Sequence, residues 1–165
     1  MRYLLALFML HISSGCSAQE LSEADLFGVS IGQKVPNELV KGLSTDAPFL
    51  LVTVPLKKEQ SQSALQDVNL FIFPESHVLA GLRGDRTFGQ LEACKTAKAV
   101  IDADLRAAYP STYKGSDPRY QYQSKDGKIL AGVICEDAKP FPRLTLEVTD
   151  PQLEAEMRSR FRRER

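Results

Sequence analysis

Few side chains in this chain have types and spacing suited to chemistry, and the cysteines come first. They stand at positions 16, 94 and 135. Cys94 belongs to an apolar stripe, with Leu91, Ala97, Ile101, Leu105 and Ala108, whose steps of three and four draw one face of a helix. Cys135 ends an alternating run, Ile129, Ala131, Val133 and Cys135, that draws one face of a strand. If the helix covers that face the thiols meet, which predicts a disulfide between helix and sheet. Closing so long a loop is worth about 4 kcal/mol in the chain-entropy account. Such a bridge belongs to an oxidising compartment, and it predicts an exported protein.

Cys16 has a different context. Arg2 precedes an apolar run from Tyr3 to Ile12, and small polar residues follow to Ala18. This is the pattern of a secretory signal, too short to span a membrane. Two endings fit. Cleavage after Ala18 leaves a single domain over 19–165; a lipoprotein signal ending before Cys16 leaves that cysteine lipidated, although Ser13 stands where a leucine is favoured. No transmembrane span is expected in the mature chain.

Acid–base and metal chemistry have little to draw on. With His11 in the signal, His77 is the one histidine of 19–165, and with both other cysteines bridged no Cys and His metal site is expected. His77 reads as an exposed residue at the start of a strand. Asp102 and Asp104 sit two apart on the helix and diverge, while Glu136-Asp137 and Glu154/Glu156 have the setting of solvated carboxylates. The chain has no tryptophan for sugar stacking. There is no phosphate loop or dinucleotide fingerprint, so no cofactor is expected. No catalytic residue is assigned. Arg83-Gly84-Asp85 spells an adhesive tripeptide, but three residues recur easily by chance, and here they read as the turn before a helix.

Two surface features point towards binding. Lys plus Arg and Asp plus Glu both number 21, so the whole chain carries no charge that would suggest nucleic acid. The charge is uneven, however: the last eight residues hold five arginines, Arg158, Arg160, Arg162, Arg163 and Arg165, against one glutamate. Such a cluster suits a helix C-terminus, and equally a contact with a protein or an anionic envelope component. Tyr109, Tyr113, Tyr120 and Tyr122 gather around one loop, and Tyr113 and Tyr120 are candidates for a contact surface.

The elements that must position these residues follow from pattern. The main helix is expected over 87–109, opened by a capping box of Thr87 and Gln90 and stopped by Pro110. Strands are expected at 26–31, 49–54, 68–73, 77–82, 120–124, 128–135 and 144–148; Pro-Glu-Ser at 74–76 and Lys-Asp-Gly at 125–127 mark hairpin turns, and 57–67 reads as a mobile loop. Pro36 opens a short helix, and Thr149 with Gln152 opens a terminal one bearing Leu153, Met157 and Phe161 on one side. The fold class is α+β: an antiparallel sheet of about six strands, one long helix packed on one face, and a helix–sheet disulfide. The function expected is a non-enzymatic exported module that binds another macromolecule as an accessory, inhibitor or immunity-type protein. A small exported hydrolase acting on an envelope polymer and a lipid-anchored structural protein are the alternatives.

Overall fold

The computed structural model describes residues 30–43, 49–55 and 65–163. The signal region with Cys16, most of the strand expected at 26–31 and most of the loop at 57–67 lie outside the described residues. Seven antiparallel strands form one sheet in the order β1-β2-β3-β7-β6-β5-β4. They are β1 (Leu50–Pro55), β2 (Asp67–Ile72), β3 (Leu79–Thr87), β4 (Ser111–Thr112), β5 (Tyr122–Gln123), β6 (Leu130–Glu136) and β7 (Arg143–Thr149). Among the described residues three helices accompany them: α1 (Asn37–Val40), α2 (Leu91–Ala108) and α3 (Pro151–Arg163). Two meanders, β1 to β3 and β4 to β7, are joined along β3 and β7. Helix α2 crosses from the centre of the sheet to its far edge.

Period-two alternation decides which residues meet. On one face, Leu82 pairs with Val148, Gly84 with Leu146 and Arg86 with Leu144, and those β7 residues in turn oppose Ala131, Val133 and Cys135. Helix α2 lies over β6 and β7, and its buried Cys94, Ile101 and Leu105 join this apolar layer. The disulfide between Cys94 and Cys135, with Cα atoms 6.0 Å apart, is present as the stripes predict. Segment 30–43 and Leu65 complete the layer over β1 to β3, burying Val35, Val40 and Leu65. Gly84 makes room for this cover, since a Cβ there would stand 2.8 Å from Leu65 Cδ1.

The turn residues behave as their types require. Gly127 takes φ 71° in the β5–β6 hairpin, where Asp126 Oδ1 accepts hydrogen bonds from Ser124 Oγ and the Lys128 amide. Gly32 takes φ 85° and breaks the chain before Lys34 bridges to Val78.

Four local expectations are corrected. Helix α2 starts at Leu91, with Gln90 as its N-cap and no side-chain cap, because β3 stays paired with β7 as far as Thr87 opposite Arg143. The Arg83-Gly84-Asp85 tripeptide is therefore mid-strand. The cap of α3 is Asp150, whose Oδ1 accepts from the Gln152 and Leu153 amides at 2.8 and 3.3 Å; Thr149 instead turns its hydroxyl to the Ala80 carbonyl. Asp67, placed by sequence in a loop, begins β2. In each case a sheet partner that the local sequence does not reveal has outcompeted a local signal.

Candidate functional site

The opposite face of the sheet is built from the other half of each strand. Its centre is polar: Gly81 opposes Thr149, Arg83 opposes Glu147 and Asp85 opposes Thr145. Two elements stand on this floor. Helix α3 turns back over β3, held there by Met157 packed with Phe73 and Ala80. The segment 113–121 crosses β6 at Gly132, where a Cβ would come within 1.9 Å of the Arg119 carbonyl oxygen. Gln121 ties that segment down, its Oε1 accepting from the Val133 amide at 2.9 Å. Between α3 and this segment an open trough of about 640 Å³ remains.

One end of the trough is aromatic. Phe49 lies 6.1 Å from Phe71 and 6.3 Å from Phe161, measured between ring centres. Phe161 is 42% exposed on an otherwise strongly charged helix. The rest of the wall is charged with an excess of arginine: Arg83 on the floor, Arg119 on the loop side, and Arg158 and Arg162 on the helix, against Glu147 and Glu154. Gly81 keeps the floor open between the two ends: a Cβ there would approach Thr149 Oγ1 to 3.1 Å.

The polar groups are wired to one another. Arg119 reaches Asp117 at 2.8 Å and Glu147 at 3.0 Å, and its guanidinium sits 5.0 Å above the Tyr120 ring. The Asp117 bonds raise the Arg119 pKa further, and in return Arg119 lowers that of Asp117. Tyr120 donates its hydroxyl to Glu147 at 3.1 Å; burial, and then the charge of Glu147, push its pKa up. On the floor, Asp85 accepts from Arg83, Arg143 and Thr145. Burial there works to raise the Asp85 pKa, but these hydrogen bonds and the arginine charges outweigh it and leave the carboxyl low.

The terminal arginines, a single cluster in sequence, separate in space. Arg160 turns away from the trough: Nη1 meets both oxygens of Glu75 at 2.9 Å, Nη2 meets Glu156 at 2.7 Å, and the guanidinium covers Phe73. Its role is to dock α3 on the β2–β3 turn. Arg158 pairs with Glu154 one turn earlier and lines the trough. Arg162 also lines it; among the described residues it forms no ion pair, donating only to the Arg158 carbonyl at 3.4 Å. The side chain of Arg163 lies outside the described set.

The tyrosines separate as well. Tyr120 is 6% exposed and stacks edge-on against half-buried Tyr113 with ring centres 5.9 Å apart. They form the internal brace of the trough wall, with little of Tyr120 left to offer a partner. His77 sits in the β2–β3 turn at φ 55°, with Nδ1 3.4 Å from Asn37 Oδ1 and the ring partly buried, away from the trough. Asp102 bridges Lys98 and Arg106 on α2, and Arg106 also reaches the Tyr122 hydroxyl on β5. Among the described residues no group of His, Cys, Asp and Glu could hold a metal ion.

Sequence reasoning did not find Arg83, Arg119, Glu147, Phe49 or Phe71. Alternation in Leu144–Val148 does place Glu147 opposite the core. Nothing in the local sequence brings Arg119 beside it.

Comparison of the chain with protein-family models, curated proteins and solved structures returns no match. Among the described residues no helix is long and apolar enough to cross a membrane. The disulfide fits an oxidising, exported compartment.

Proposed function

We propose that this is a non-enzymatic exported protein that binds part of another macromolecule in the trough between α3 and segment 113–121. The observation that carries the reading is the combination of an exposed aromatic end and a cationic wall in one open concavity. Such a surface is costly to leave in water and suits a partner that supplies both apolar area and negative charge. The lining carboxylates support binding over hydrolysis, since Glu147 is engaged by Arg119 and Tyr120 and Glu154 by Arg158. The lining hydroxyl of Thr149 donates to the Ala80 backbone and has no histidine beside it in the trough wall.

The test is site-specific photo-crosslinking in cells that make the protein. A photoreactive phenylalanine analogue at Phe161 should yield a discrete macromolecular adduct, and the same group at Val100, exposed on the outer side of α2, should yield none. Equal labelling at both positions, or none at 161, would remove the trough from consideration.

A further inference from the structure

We infer that the occupant of the trough is an acidic polypeptide segment that anchors one large apolar side chain against Phe49, Phe71 and Phe161 and presents carboxylates to Arg162, Arg158 and Arg83. This rests on the binding reading above and adds the chemistry of the partner.

Charge complementarity is the first argument. Among the described residues four guanidinium groups line the trough against two carboxylates, those of Glu147 and Glu154. Arg83, Arg119 and Arg158 already have acidic partners within the protein. Among the described residues Arg162 has none, so its planar fork is the group most in need of an incoming anion, and a fork matches a carboxylate through two parallel hydrogen bonds.

The shape of the site favours a peptide over a lipid chain. The trough has a floor and two walls and is open above, so an acyl chain laid in it would keep much of its length wet and gain little from transfer. A peptide needs to bury only its anchor; its backbone remains solvated and hydrogen-bonded to water along the open side. The aromatic end supplies a place for one such anchor. Arg83 and Arg158 can tilt towards added carboxylates without losing their own, because each internal pair is at least partly exposed.

The test is selection from a phage-displayed library of random dodecapeptides on the full chain. The same chain carrying Arg162→Glu serves as counter-target, and vesicles of phosphatidylglycerol and phosphatidylcholine provide a separate sedimentation assay. Among the described residues Arg162 bonds only to its own helix backbone, so the variant should keep the native circular dichroism and thermal midpoint. Enrichment of peptides with two or more Asp or Glu around one aromatic or aliphatic residue, held about tenfold less well by Arg162→Glu and released by salt, is the expected result. Enrichment without acidic residues, no enrichment, or equal retention by Arg162→Glu would overturn the inference. So would Arg162-dependent sedimentation with the vesicles and no selected peptide, which would mark the trough as a lipid-headgroup site. Failure here with a discrete adduct still forming at position 161 would discard the acidic peptide alone; loss of both would discard the binding site itself.

Discussion

The two faces of the sheet differ in kind. On the α2 face, Leu144, Leu146, Val133 and Ala131 are fully buried with Cys94, Ile101 and Leu105, and a disulfide joins the two layers. On the α3 face, β7 presents buried Thr145 and half-buried Glu147 and the neighbouring β3 presents Arg83 and Asp85, and the charged groups are covered only in part and held by ion pairs with exposed edges. Hydrophobic burial is non-directional and cumulative, so the first face supplies stability. Partly exposed charge pairs supply little net energy, but they hold side chains in fixed directions and leave a surface that a partner can use. One strand thus serves both purposes through alternate residues.

The sharpest way to break this contrast is to loosen the α2 face. Reduction of the Cys94–Cys135 bridge, or a Cys94→Ser and Cys135→Ser double variant, should lower stability by about 4 kcal/mol. Denaturant unfolding with and without reductant reads this directly; a midpoint indifferent to reductant would show that the core alone holds the helix.

Adjacent residues of β7 give a finer comparison. Leu146→Ala removes a fully buried side chain and should cost about 2–5 kcal/mol. Thr145→Val, one residue earlier on the other face, loses one hydrogen bond to Asp85 and should cost about 1 kcal/mol. Similar losses at both positions would mean that the charged face contributes as much to stability as the apolar one.

The cap of α3 is expected to matter less. Asp150→Ala should cost about 1 kcal/mol and should weaken photo-crosslinking at Phe161 if the start of the helix sets the position of the trough wall. Unchanged unfolding in urea would assign the cap no part in holding α3.

The smallest effect belongs to the acid limb. Asp85 and Asp117 both have lowered pKa values in the fold, Asp85 because its hydrogen bonds and arginine neighbours outweigh burial, Asp117 because Arg119 binds it. Their contribution to stability is present above the ordinary aspartate pKa of about 4 and is lost as pH falls through the folded-state values. Asp85→Asn should therefore lower stability at neutral pH, where the carboxylate contributes, and flatten the fall below pH about 4. Tyr120 acts with the opposite sign. Its raised pKa makes its contribution complete below the ordinary tyrosine value of about 10 and erodes it as pH climbs towards the folded-state value. Tyr120→Phe should soften the alkaline limb.

Much of the α2 face was legible in the sequence because its signal is periodic. A 3.6-residue stripe through Cys94 and a two-residue alternation through Cys135 each name one face, and two apolar faces carrying one thiol each have one economical way to meet. The Asp126-Gly127 turn was equally legible, since positive φ is a property of the residues themselves. The start of α2 was not. Thr87 and Gln90 have the spacing of a cap, but pairing with Arg143 keeps Thr87 in the sheet.

The candidate site was legible only as composition. An arginine-rich terminus is visible in the sequence, but Arg160 is consumed by Glu75, 85 residues away, while Arg162 is left facing the trough. Arg119 finds Glu147 across 28 residues, and Phe49 finds Phe161 across the whole domain. By itself, then, the sequence determined the strand and helix faces and the thiol pairing, because those follow from short-range periodicity and the need to bury apolar area. Only the tertiary structure decided which charges neutralise each other and which remain available, because ion pairing on a partly covered face depends on distances between elements that no local pattern encodes.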